Sequence, residues 1–173
     1  GAVTWSPNSV NLAVVGDSDP EMWDPRQWKL YVLNRSGPPR QITDGLTVPT
    51  LPAPDLRWTM DDLILFLGDS KGESFICRVP VAGGPIEAIA GGGVKIEGMT
   101  LDFPPKNAIV NVIPPHSLGD LSRVDLHDGA MNQVTNYNKD YFDNHPPATM
   151  TKFMISRTGF EIESRLLTPP GFD

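Results

Sequence analysis

The feature that most constrains this sequence is an internal repeat of about 46 residues. Gly37, Gly84 and Gly129 recur at intervals of 47 and 45 residues. Each glycine lies between two short strand-like segments, as the turn of a β-hairpin does. The segments are residues 30–33, 40–43, 76–79, 87–90, 121–124 and 132–135. A spacing this regular predicts a repeat architecture.

A second pair of strand-like segments precedes each of these pairs. The segments are residues 3–6 and 11–15, 55–58 and 63–67, and, least regular in pattern, 98–103 and 108–112. Residues 63–67 are all apolar, which is typical of a strand covered on both faces. No segment keeps a helical apolar period beyond about two turns without Gly or Pro. Four strands in a repeat of this length predict the blade of a β-propeller.

The predicted fold class is therefore all-β, with about three antiparallel four-stranded blades. The blades are expected within residues 1–148, at about 1–47, 55–93 and 94–138, followed by a linker. Propellers contain about four to eight blades, so three do not close a ring. The missing blades would come from further chain or from other copies, and a homo-oligomer stays an open alternative. Because the chain begins and ends abruptly, we expect it to be part of a longer polypeptide.

Composition narrows the range of partners. The net charge of -7 argues against nucleic acid and anionic membranes, which would repel the chain. No run approaches the roughly 20 apolar residues of a membrane helix. The single cysteine, Cys77, excludes an internal disulfide and is expected to be a small buried hydrophobe. The cellular location stays open, with the cytoplasm slightly favoured.

One short motif resembles a catalytic signature. Residues 68–72 fit the G-x-S-x-G pattern that places a nucleophilic serine, here Ser70, on a strand-to-helix turn. A strand-like segment follows instead of a helix, so we interpret the motif as a hairpin turn. His116, His127 and His145 lie in turn or linker contexts without the spacing of a zinc site. We therefore predict no catalytic residue, no metal ligand and no cofactor in this chain.

An acidic segment supplies the only candidate site residues. Four carboxylates fall within residues 17–24, where they could attract a cation or the ammonium group of a substrate. The spacing does not match an EF-hand loop. We name Glu21, Trp23 and Asp24 as candidate substrate contacts. A solvated loop is the plainer alternative.

Two motifs resemble known propellers. Residues 5–9, Trp-Ser-Pro-Asn-Ser, followed by the apolar residues 12–15, resemble the opening of blades in TolB-like and peptidase propellers. Residues 40–45, Arg-Gln-Ile-Thr-Asp-Gly, resemble their closing strand. These two motifs do not distinguish TolB-like propellers from peptidase propellers.

The C-terminal part of the sequence favours the peptidase propellers. Residues 133–138 and 151–173 resemble the last blade and the entry to the hydrolase domain in the prolyl oligopeptidase family, especially its acylaminoacyl-peptidase-like and dipeptidyl-peptidase-like members. In that family, G-x-x-I-x-x-W-L-x-x-P-x-G-F-D begins the hydrolase part. This chain has that pattern with Arg165 in place of the Trp. In the blade-opening motif of residues 5–9, Asn8-Ser9 stands in place of the usual Asp-Gly. The resemblance covers most of the chain.

The resemblance implies a division of labour. It implies a propeller that gates a serine peptidase cleaving short peptides, such as an acylaminoacyl or dipeptidyl peptidase. Residues 149–173 would form a hairpin-like start of an α/β-hydrolase domain whose Ser, Asp and His lie beyond this chain. The implied partners are a peptide substrate and that hydrolase domain of the same parent polypeptide. The alternative is a non-catalytic TolB-like propeller that binds proteins or peptides, so enzymatic activity stays uncertain.

Overall fold

A computed structural model describes residues 3–16, 28–44 and 55–172. Three four-stranded antiparallel sheets follow one another along the chain, and a two-stranded hairpin follows the third. The first sheet contains β1 (Val3–Trp5), β2 (Leu12–Gly16), β3 (Lys29–Leu33) and β4 (Arg40–Gln41). The second contains β5 (Leu56–Trp58), β6 (Leu63–Ser70), β7 (Glu73–Pro80) and β8 (Glu87–Gly91). The third contains β9 (Lys95–Leu101), β10 (Asn107–Ile113), β11 (Asp120–Asp125) and β12 (Met131–Gln133).

A short helix and the hairpin complete the described chain. The helix is α1 (Lys139–Asn144), and the hairpin strands are β13 (Thr149–Arg157) and β14 (Phe160–Thr168). The predicted all-β class and the four strands in each repeat are confirmed. The helix lies in the predicted linker, where six residues are too few to show a helical period. β9 begins and ends earlier than the strand predicted at residues 98–103, so Phe103 lies outside it and is 92% exposed.

The first turn of the chain shows how the sequence ends a strand. The Ser6 hydroxyl accepts hydrogen bonds from the backbone N–H groups of Val10 and Asn11, at 3.2 and 2.9 Å. The Asn8 side chain accepts from the same Val10 N–H at 3.1 Å and from the Ser6 hydroxyl at 2.7 Å. Ser9 adopts a left-handed φ of 58°, a conformation for which glycine is the usual residue. The side chains of Ser6 and Asn8 therefore stabilise a turn that lacks the usual Asp-Gly.

The three sheets pack face to face through two apolar cores. Ala13 and Leu30 of the first sheet lie in one core with Phe66 of the second. The opposite face of the second sheet contributes Ile76 to another core, with Val110 of the third. Full burial of one such side chain stabilises the fold by about 1.5–3 kcal/mol. Coverage on both faces explains why residues 63–67 are uniformly apolar.

Candidate functional site at the C-terminal hairpin

One end of the C-terminal hairpin contacts the second and third sheets. Met150 and Leu167, which pair across β13 and β14, line a cleft together with Gly72, Val94 and Pro114 of the sheet connections. The cleft has a volume of about 510 Å³. The hairpin is thus mounted on the edge where the β6–β7, β8–β9 and β10–β11 connections meet.

Four charged side chains form the polar part of this contact, and we call them the hairpin cluster: Glu73, Lys152, Glu163 and Arg165. The Lys152 ammonium lies 3.0 Å from a carboxylate oxygen of Glu73 and 3.0 Å from one of Glu163. Arg165 Nη2 lies 3.0 Å from Glu163 and 3.4 Å from the carbonyl oxygen of Gly72. Lys152 therefore joins the second sheet to the hairpin, while Arg165 contacts the β6–β7 turn.

Hydrogen bonding in the hairpin cluster favours the charged form of each carboxylate and of the lysine. The hydrogen bond from Lys152 lowers the pKa of Glu73, and the backbone N–H of Gly93 lowers it further. Hydrogen bonds from Lys152 and then Arg165 lower the pKa of Glu163. Hydrogen bonds to Glu73 and then Glu163 raise the pKa of Lys152. The pKa values of the two carboxylates are thus lowered and that of the lysine is raised, so all three move further from neutral pH. The hairpin cluster therefore suits docking better than general acid–base catalysis.

A second polar group stiffens the edge on which the hairpin rests. The Asp69 carboxylate accepts a hydrogen bond of 2.7 Å from the buried Ser74 hydroxyl and one of 2.8 Å from the Lys95 ammonium. The Ser74 N–H donates to the Val94 carbonyl at 3.0 Å. These contacts connect β6, β7 and the beginning of β9, so the second and third sheets present the hairpin with a common support.

The G-x-S-x-G motif lies at this edge without the geometry of a nucleophile elbow. Ser70 is the last residue of β6 and pairs with Glu73 of β7. Lys71 and Gly72 form the intervening two-residue turn, with φ of 51° and 70° as in a type I′ hairpin. The motif joins strand to strand instead of strand to helix, and the hairpin interpretation is confirmed.

The other sequence-predicted residues are three candidate substrate contacts and three histidines. Glu21, Trp23 and Asp24 lie outside the described residues, and their contact with substrate stays a prediction. His116 lies between β10 and β11, and His127 lies between β11 and β12. His145 follows α1, where its ring stacks on Tyr141. Over residues 3–16, 28–44 and 55–172, no group of three or more His, Cys, Asp or Glu side chains is arranged to hold a metal ion.

No helix in the described part of the chain is both long and apolar enough to cross a membrane.

Sequence reasoning missed the hairpin cluster. Arg165 drew attention only as a departure from a family pattern, and its contact with the β6–β7 turn is visible only in the fold. Lys152 and Glu73 are 79 positions apart. No local pattern connects two charges at that separation.

Solved structures share the fold of this chain. Acylaminoacyl peptidase from Pyrococcus horikoshii superposes with a TM-score of 0.72 and 17% identity, over 94% of this chain and 24% of the peptidase. The AtxE2 isopeptidase superposes at 0.67 with 17% identity, over 94% of this chain and 25% of that one. TolB from Acinetobacter baumannii superposes at 0.62 with 16% identity, over 97% and 40%. The three sheets are part of a β-propeller.

These similarities are structural. No family model matches the sequence, and no curated protein matches it. At 16–17% identity, the superpositions establish the fold alone. The chain spans about a quarter of the length of the two peptidases, so it corresponds to a portion of each.

Proposed function

We propose that this chain is the substrate-gating propeller portion of a serine peptidase of the prolyl oligopeptidase family. The observation that carries the proposal is the hairpin β13–β14, which follows the last sheet and is fixed to the sheets by the hairpin cluster. Residues 149–173 would then begin the α/β-hydrolase domain.

The resemblance to the prolyl oligopeptidase family implies the division of roles. The hydrolase domain would supply the nucleophile, the base and the oxyanion donors. The sheets would restrict entry to short peptides, and the fixed end of the hairpin would hold the two parts in register. Acylaminoacyl and dipeptidyl substrates are the classes that we propose.

Labelling of the complete parent polypeptide with a fluorophosphonate probe tests this function. We expect a single labelled serine beyond residue 173, in a G-x-S-x-G motif within roughly 100 to 150 residues, as the order of such enzymes implies. Hydrolysis of acylaminoacyl and dipeptidyl chromogenic substrates should accompany the labelling. Ser70→Ala is the matched control and should change neither signal. A labelled Ser70, or a parent polypeptide that carries no reactive serine, would overturn the proposal.

A TolB-like binding propeller is the second candidate. It is favoured by the superposition with TolB, which covers 97% of this chain. A parent polypeptide that retains peptides in equilibrium dialysis without cleaving them, and that carries no reactive serine, would support this candidate instead.

A further inference from the structure

An arginine of the first sheet contacts the backbone of the second. Arg40 of β4 donates from Nη2 to the Val81 carbonyl at 2.6 Å and from Nη1 to the Ala82 carbonyl at 2.8 Å. Val81 directly follows β7, the third strand of its sheet. A charged donor on a backbone carbonyl is among the stronger protein hydrogen bonds, so this contact fixes one sheet against the next.

An arginine of the second sheet contacts the equivalent carbonyl of the third, from β7 instead of the fourth strand. Arg78 Nη1 lies 3.5 Å from the Leu126 carbonyl, and two 2.7 Å bonds to Glu87 orient the guanidinium. Leu126 directly follows β11, as Val81 follows β7. The backbone N–H of Val81 donates at 2.9 Å to the Asp62 carbonyl, and that of Leu126 donates at 2.9 Å to the Lys106 carbonyl. Asp62 and Lys106 each lie just before the second strand of their sheet. The two acceptors are thus equivalent positions of the repeat.

Arg123 takes the place of Arg78 in the third sheet. Arg78 pairs with Leu65 of the neighbouring strand, and Arg123 pairs with Ile109 in the same way. Arg123 Nε donates to the Asn107 side chain at 3.0 Å. Within the described residues this is its only hydrogen-bond partner, so the two Nη groups are available to an acceptor in another sheet.

The surface around Arg123 also corresponds to a face that is buried in the second sheet. Ile76 of that sheet is 0% exposed beneath the third sheet, whereas its equivalent, Leu121, is 41% exposed. Val134, equivalent to Ile89 at the edge of the second core, is 60% exposed. The third sheet therefore presents an uncovered apolar face with a cation at the position that contacts the next sheet.

We propose that this face binds a further four-stranded sheet of the same polypeptide, and that Arg123 donates to the carbonyl that follows the third strand of that sheet. In both existing interfaces an arginine contacts the carbonyl at this position: Arg78 does so from the third strand of its sheet, as proposed for Arg123, and Arg40 does so from the fourth. The proposal rests on the proposed function only for the origin of this further sheet. The similar peptidases are about four times as long as this chain, so a parent polypeptide of that length has room for it. A second copy would instead present its first sheet, where the exposed Arg35 occupies the acceptor position and would repel Arg123.

Thiol labelling of the complete parent polypeptide tests the covered face. The Leu121→Cys variant is compared with Leu118→Cys, because Leu118 precedes the same strand and is 69% exposed. Cys77 is buried and gives little background. We expect a small maleimide to label Leu121→Cys at least about tenfold more slowly, because a covered position reacts only when the structure opens. Val134→Cys repeats the test at a position outside the strands, in case Leu121→Cys does not fold.

Arg123 is tested separately in the Leu121→Cys background. Adding Arg123→Ala should raise the labelling rate several-fold, whereas Arg35→Ala should leave it unchanged. Equal labelling of Leu121→Cys and Leu118→Cys would overturn the proposal even in a polypeptide with a reactive serine. Slow labelling of Leu121→Cys in a parent polypeptide without a reactive serine would support the covered face and contradict only the peptidase function. Protection that grows with protein concentration would overturn it in favour of a second copy.

Discussion

The close approach of the third sheet to the second gives a sharp test at Gly129. This glycine lies in the turn between β11 and β12, with φ of 75°. A Cβ added there would lie 2.1 Å from the backbone carbonyl oxygen of Ile89 in the second sheet. Because the obstructing atom belongs to a backbone, Gly129→Ala has to displace one sheet from the other.

The expected cost has two parts. An alanine in the left-handed region costs about 1–2 kcal/mol, and forcing packed elements apart typically adds about 1–3 kcal/mol. Gly93→Ala is the matched control. Gly93 also has a left-handed φ, 68°, but a Cβ there would meet no atom within 4 Å. The control therefore carries only the first cost.

Urea unfolding followed by tryptophan fluorescence measures the difference. With a slope of about 2 kcal/mol per molar urea, an added cost of about 2 kcal/mol lowers the midpoint of Gly129→Ala about 1 M below that of Gly93→Ala. Equal midpoints for the two variants would refute the inferred contact between the β11–β12 turn and the second sheet.

Two further predictions concern the core and the hairpin cluster. Burial raises the pKa of Cys77 to about 12, so iodoacetamide at pH 8 should modify this thiol only after unfolding; rapid native modification would contradict its burial. The pKa values of Glu73 and Glu163 are lowered below 4.5, so their contribution to docking is present above pH 4.5 and is lost as the pH falls through the folded values. The pKa of Lys152 is raised above 10.5, so its contribution is lost only as the pH rises through that higher value. The protection factors for amide exchange of residues 149–168 should therefore fall as the pH drops through the lowered carboxylate pKa values and, by about two- to fivefold at pH 7, in Lys152→Met. Unchanged protection would exclude docking through these charges.

The strands were predictable because their signals are local. The turn glycines Gly37, Gly84 and Gly129 mark a repeat that the sheets reproduce in order. The bounds of β9 were harder to predict, because Gly98 lies inside this strand with φ of 67° and the register shifts beside Val110. A glycine inside a strand reads locally as an interruption.

The candidate site was less predictable than the fold. Lys152 and Glu73 meet only because the hairpin turns back onto the second sheet. Arg123 resembles any exposed arginine until its equivalence to Arg78 is known. Both roles depend on contacts between separate sheets, and such contacts leave no period in the sequence.

Each four-stranded sheet consists of consecutive strands, and in the described part of the chain the two apolar cores join sheets that follow one another. Stability in such an array approximates a sum of terms for each unit and for each junction between neighbours. In this chain taken by itself, the second sheet has two junctions and is therefore the most stable of the three. Opening of the isolated chain is then expected to start at the first or the third sheet, whereas a further sheet on the third would give that sheet a second junction too.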